Sequence, residues 1–178
     1  MSHLLFLSIT SLGVLAVGCS GPDCGPGGAF EFGLTVSSDQ VSLVFGDLVA
    51  GANNDCPDPA APAGVISLTI MGAEMGSTGI ITFCVPRPDL LQTMALPIGS
   101  SGVKVIDLNA TDASCSYTFD ASHLPTGTAT STGMCGNGSD KAGFALVFDG
   151  FVGLKRTCGA TMDTVNVGLT GTVAVTAS

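Results

Sequence analysis

The sequence predicts an all-β fold, and three observations carry that expectation. Apolar residues alternate with small or polar ones in run after run, which is the period of a strand with one buried face. Clusters of Gly, Pro, Asn, Asp and Ser interrupt these runs at short intervals. No long stretch has the spacing of an amphipathic helix, although Asp89-Leu90-Leu91-Gln92-Thr93-Met94 after Pro88 suits a single turn or a short helix. About nine strands in one domain predict an antiparallel β-sandwich, immunoglobulin-like or jelly-roll. A closed β-barrel is the alternative, because alternation alone does not distinguish two stacked sheets from one sheet that closes. The sequence has no Trp, which argues against a true immunoglobulin core.

The strands follow in order. Phe30, Phe32, Leu34 and Val36 share one face, with Glu31, Gly33 and Thr35 on the other. Val41, Leu43 and Phe45 repeat the pattern, followed by Ile66, Leu68 and Ile70, then Ile81, Phe83 and Val85. A weaker run spans Val103 to Leu108, and Tyr117 and Phe119 come after Cys115 in one phase. The clearest pair is C-terminal. Phe144, Leu146, Phe148, Val152 and Leu154 line one strand, while Val165, Val167, Leu169, Val173 and Val175 line the next. Turn chemistry separates them at 53–59, 86–88, 99–102 and 136–138, and Gly150 and Gly171 inside strand patterns predict bulges or bends. The Asn-x-Thr/Ser triplets at Asn109 and Asn137 read as turns.

The beginning of the chain has a different character. An apolar stretch from Leu4 to Val17 ends at Gly18-Cys19-Ser20. It is short for a transmembrane helix and suits the core of a secretory signal peptide. The run Leu15-Ala16-Val17-Gly18-Cys19 resembles the lipobox of bacterial lipoproteins. That resemblance implies cleavage before Cys19, acylation of its thiol and anchoring in a membrane by lipid; Ser20 after the anchor, in place of Asp, implies the outer membrane. The expected organisation is a signal peptide over 1–18, a lipid-anchored tether over 19–28 and a single β domain over 29–178. Cleavage as an ordinary signal peptide, giving a secreted or periplasmic protein, is the other reading.

Composition narrows the function. The 178-residue chain has 14 acidic residues against five Lys and Arg, a formal net charge of −9. Its only adjacent basic pair is Lys155-Arg156, so nucleic acid is not an expected partner. Seven cysteines are odd in number. Assigning Cys19 to lipid leaves Cys24, Cys56, Cys84, Cys115, Cys135 and Cys158 for three disulfides in an oxidising compartment. Cys115 and Cys135 are equidistant from Pro125, so a symmetric hairpin through 122–127 pairs them, leaving Cys24 for Cys56 and Cys84 for Cys158.

Candidates for chemistry are few. There is no C-x-x-C pair and no G-x-S-x-G elbow, and His123 is the only histidine beyond the signal. It falls in an expected turn, where Ser122 is too close in sequence to serve as its nucleophile. No catalytic residue, metal site or cofactor is therefore expected. Two oxygen-rich loops, Asn53, Asn54, Asp55 and Asp58, and Asp107, Asn109 and Asp112, have donors suited to calcium, but also the residues of ordinary turns. The expectation is a lipid-anchored structural or binding module of the envelope, meeting the membrane through its anchor and offering its surface to a protein or glycan. The alternatives are an envelope hydrolase using carboxylates or His123, and a calcium-stabilised adhesion module.

Overall fold

A computed structural model describes residues 33–45, 49–53, 55–61, 64–74, 77–86, 93–131, 135–137 and 141–176. These residues are all-β and contain no helix. Twelve strands are formed: β1 (Gly33–Ser38), β2 (Val41–Phe45), β3 (Val49–Asn53), β4 (Val65–Glu74), β5 (Ser77–Pro86), β6 (Met94–Pro97), β7 (Lys104–Thr111), β8 (Ser116–Phe119), β9 (Thr126–Ser131), β10 (Cys135–Asn137), β11 (Lys141–Cys158) and β12 (Thr161–Thr176). That is more than the nine or so expected. The extra ones, β3, β6, β9 and β10, are short and lack long alternating apolar runs: VAGAN, MALP, TGTATS and CGN. Met94, expected at the end of a helical turn, opens β6 instead; residues 87–92 lie outside the described residues.

All strand pairs are antiparallel and belong to one connected sheet, ordered β2-β1-β12-β11-β8-β7-β5-β4-β3. The 18-residue β11 organises it. One edge of β11 pairs with β12 along its full length. The other edge is shared: Leu154–Thr157 pair with β8, and Leu146–Phe151 pair with β9, whose far side carries β6. The sheet therefore forks at β11. It also curls, so that β2 packs across to β4 and β5, and β12 approaches β3, giving a half-barrel. Strong right-handed twist in long antiparallel strands favours this curling over a flat sheet.

The core fills the concave side. Leu34, Val36, Leu43, Leu68, Ile70, Ile81, Phe83, Leu146, Phe148, Leu154, Leu169 and Val173 are buried, on the faces the alternation assigns to them. Phe83 of β5 stacks on Phe148 of β11, ring centroids 4.8 Å apart, tying the β8–β7–β5 branch back to the strand at which the sheet forks. Each such ring or aliphatic side chain, once buried, contributes roughly 1.5–3 kcal/mol relative to exposure.

Several finer expectations give way. The chain does not form a hairpin around Pro125: β8 and β9 do not pair with each other but follow one another along the same edge of β11. The thiol pairing based on that hairpin is overturned with it. Among the described residues the bridges are Cys56–Cys84 and Cys115–Cys158, with Cα atoms 5.6 and 4.3 Å apart. Cys158 takes Cys115 because β8 and the C-terminal half of β11 are direct neighbours. Cys19, Cys24 and the side chain of Cys135 lie outside the described residues.

Nor do Gly150 and Gly171 form bulges. The β11–β12 register is continuous through both. Their role is close approach: a Cβ at Gly150 would meet the Thr126 carbonyl oxygen at 2.3 Å, and one at Gly171, whose φ is +122°, would meet the Gly33 carbonyl oxygen at 1.9 Å. The irregularity that does occur lies opposite the Thr82/Phe83 step, where β7 has one extra residue. Asn109-Ala110-Thr111 forms part of β7 and not a turn.

Candidate functional site

The candidate site is the loop Asp120–Pro125. Because β8 and β9 share an edge of β11, they amount to one strand interrupted where the sheet forks. Phe119 is opposite Leu154 and Thr126 is opposite Phe151, so six residues bridge a gap of two on β11. The loop folds onto the outer face of the sheet. The Asp120 amide donates to the Gly153 carbonyl oxygen (2.9 Å), and His123 lies over Gly153 so closely that a Cβ there would meet the His123 Cβ at 2.4 Å.

Asp120 holds this loop together. Its side chain is 3 % exposed. Oδ1 accepts from the Ser122 amide (3.0 Å) and the Ser122 hydroxyl (2.7 Å); Oδ2 accepts from His123 Nδ1 (3.0 Å) and the Thr164 hydroxyl (3.2 Å). The Lys155 ammonium stands 4.0 Å from Oδ1. The Ser122 hydroxyl, followed by the other donors, holds the carboxyl well below the usual carboxylate range against the opposing cost of burial. This is an Asx-type turn extended to a neighbouring strand. Asp120, followed two residues later by Ser122, is the signal in the sequence that could have found it.

Asp120, Ser122 and His123 are thus in contact, but not as a relay. A Ser-His-Asp triad needs the two ring nitrogens to face different partners, one orienting the ring and one taking the hydroxyl proton. Here Asp120 and Ser122 both meet Nδ1, the latter at 3.2 Å, and the Ser122 hydroxyl is already directed to Asp120. The carboxylate accepts both hydrogen bonds, so the Ser122 hydroxyl is directed to Asp120 and not to an imidazole base.

Two adjoining clefts open beside the loop. One, about 330 Å³, is lined by Ile98, Phe119, Leu124 and Pro125 with Ser101 and Lys104 at its wall. The other, about 260 Å³, shares Ser101 and Lys104 and adds Asp58, Ala61 and Pro86. The Lys104 ammonium pairs with Asp58 between them, and that bond together with the Ala60 amide lowers the Asp58 carboxyl from its ordinary range. Leu124 at the loop tip is 83 % exposed. This arrangement can accept an apolar group beside hydroxyls.

A second polar cluster closes the far end of the core. Arg156, at the end of β11, forms a two-pronged pair with Asp163 on β12, with Nε–Oδ1 at 2.9 Å and Nη2–Oδ2 at 2.5 Å. Opposite Arg156 on β8 stands Tyr117, whose hydroxyl donates to Asp112 (2.6 Å). Burial, then the Asp112 carboxylate, pushes the Tyr117 phenol up to about 12. Asp112 in turn is lowered by the Tyr117 hydroxyl and by the Ser114 amide.

These bonds answer for most of the residues proposed as calcium donors. Asp58 is committed to Lys104, while Asp112 accepts from the Ser114 and Cys115 amides as well as from Tyr117. Asp107 accepts from the Asn109 amide two residues along β7. Among the described residues no three His, Cys, Asp or Glu side chains converge on a common point. Asn54 and the side chain of Asn53 lie outside the described residues. No protein-family model, curated protein or solved structure matches this chain.

Proposed function

We propose that this protein is an exported, lipid-anchored envelope domain acting as a structural or binding module, with a β-sandwich-like body built from the two branches of the forked sheet. The observation that carries the non-catalytic part is the state of the carboxylates. Asp58, Asp112, Asp120 and Asp163 are each held below their ordinary range by donors that fix turns or strand pairs. A hydrolase that uses a carboxyl as general acid needs the reverse, a pKa raised by burial or by a like charge. The two disulfides support export, because such bonds persist in oxidising compartments. The lipobox-like run at Leu15–Cys19 supports the anchor, and the clefts beside Leu124 are where a protein or glycan ligand would be sought first.

The deciding experiment is intact mass of membrane-extracted protein from the full chain and from a Cys19→Ser variant. A mature chain starting at Cys19, carrying a diacylglyceryl group and an amide-linked acyl chain that the variant lacks, supports the reading. An unlipidated chain cut near Gly18 sinks the anchor. Hydrolysis of a glycoside or ester panel that is lost in Asp120→Asn would overturn the non-catalytic assignment. A melting temperature that falls on adding a chelator would favour the calcium-stabilised adhesion module.

A further inference from the structure

The larger cleft beside Leu124 has a polar wall and an apolar wall, and both are fixed. The polar wall is the turn between β6 and β7, which three backbone bonds close. The Gly99 amide donates to the Val103 carbonyl oxygen (2.8 Å), the Val103 amide to that of Pro97 (2.9 Å), and the Gly102 amide to that of Gly99 (3.3 Å). A Cβ at Gly102 would meet the Pro97 carbonyl oxygen at 2.2 Å, so the turn lies tight against the end of β6. It brings Ser100 and Ser101 to the cleft, and neither hydroxyl is hydrogen-bonded among the described residues. Lys104 adjoins them. Asp58 accepts one of its three ammonium protons, and the lysine side chain is 43 % exposed, with donors left over. The apolar wall belongs to the loop that Asp120 holds: Leu124 and Pro125 line the cleft together with Phe119 and the buried Ile98 and Val105. An exposed leucine at the lip, two unpartnered hydroxyls and a cation describe the complementary ligand, apolar at one end and anionic at the other. At about 330 Å³ the cleft is at the lower end of the range for ligand sites. That is room for a single ring or a short alkyl chain, and not for an oligosaccharide or an acyl chain of membrane length.

We propose that this cleft binds a small amphipathic carboxylic acid, its carboxylate on the Lys104 ammonium and the Ser100 and Ser101 hydroxyls, its ring or alkyl chain against Phe119, Leu124 and Pro125. This deepens the binding-module reading and rests on it, but it does not need the lipid anchor. Asp58 is the competitor within the chain, because a ligand carboxylate must share the Lys104 ammonium with it and is repelled by it at short range. Head-group charge therefore decides affinity, and the two members of the Lys104–Asp58 pair act on it in opposite directions.

The test is calorimetric titration of the full chain with 3-phenylpropanoate, 3-phenylpropan-1-ol and 3-phenylpropylamine, which share a ring and spacer and differ in the head group. The expected result is one saturable site for the acid, bound about tenfold more tightly than the alcohol or the amine. Lys104→Met should weaken the acid about tenfold and leave the alcohol unchanged, whereas Asp58→Asn should tighten the acid about fivefold by removing the competing carboxylate. Equal affinity for the three head groups, no saturation by the acid, or weaker acid binding in Asp58→Asn overturns the proposal. The head-group series on the native chain stands even if a variant fails to fold. Assay of the same chain against phenylpropanoate esters separates this proposal from the module reading. The expected ranking in a chain that also hydrolyses the esters upholds the cleft and sinks the non-catalytic module, and a failed ranking in a chain that hydrolyses none sinks the cleft alone.

Discussion

Asp120 and Tyr117 show how single side chains hold irregular backbone on an otherwise repetitive sheet. The Asp120 carboxylate ties a six-residue excursion to two strands. Because its pKa is lower folded than unfolded, its contribution is complete above the unfolded value of about 3.9 and is lost as pH falls below that. Asp120→Asn is therefore expected to melt lower than the parent at pH 6, with the difference closing below about pH 3; thermal melts at both pH values check it. For Tyr117 the sign reverses. Its phenol is raised to about 12, so its contribution is present below the unfolded value of about 10 and is lost as pH climbs from 10 to 12. Tyr117→Phe should cost about 1.5–3 kcal/mol in urea unfolding at pH 7 and remove most of the extra alkaline loss between pH 10 and 12.

At the scale of elements, legibility followed the length and alternation of the apolar runs. Long strands such as β4, β5, β11 and β12 were visible because period-two apolar residues mark a half-buried face. β9 was not, because TGTATS buries only Ala129 and Ser131 fully and draws its pairing from β11 and β6. A turn was legible at 122–127, overlapping the loop 120–125, while its consequence was not: a turn between two runs normally makes a hairpin, and here it makes an interruption. Loops outside the sheet depend on covalent closure. Cys56–Cys84 spans 28 residues and holds the 55–61 segment to β5, worth about 3.5 kcal/mol in the chain-entropy account. Replacing both cysteines with Ala should lower the melting temperature by about 10 °C. An unchanged melting temperature would show that the segment is held by the Lys104–Asp58 pair alone.

For the whole molecule, the forked and curled sheet sets two ends apart along β11. Lys141 and Lys155 lie roughly 45 Å from each other on that strand. The Cys115–Cys158 bridge closes one of these ends, joining the chain just before β8 to the last residue of β11.

What the amino-acid sequence determined by itself was local: an all-β chain, the inward face of each long strand, turns such as that at 99–102, and a supply of cysteines suited to cross-linking. Each of these follows from neighbours along the chain, through side-chain alternation or the conformational preferences of Gly, Pro, Asn and Asp. Only the tertiary structure decided the branching at β11, the Cys115–Cys158 partnership, the fourfold coordination of Asp120 and the close approaches at Gly150 and Gly171. Those depend on which strand lies beside which. Antiparallel pairing energies are similar for many partners, and the choice among them is made by the curl that closes the core.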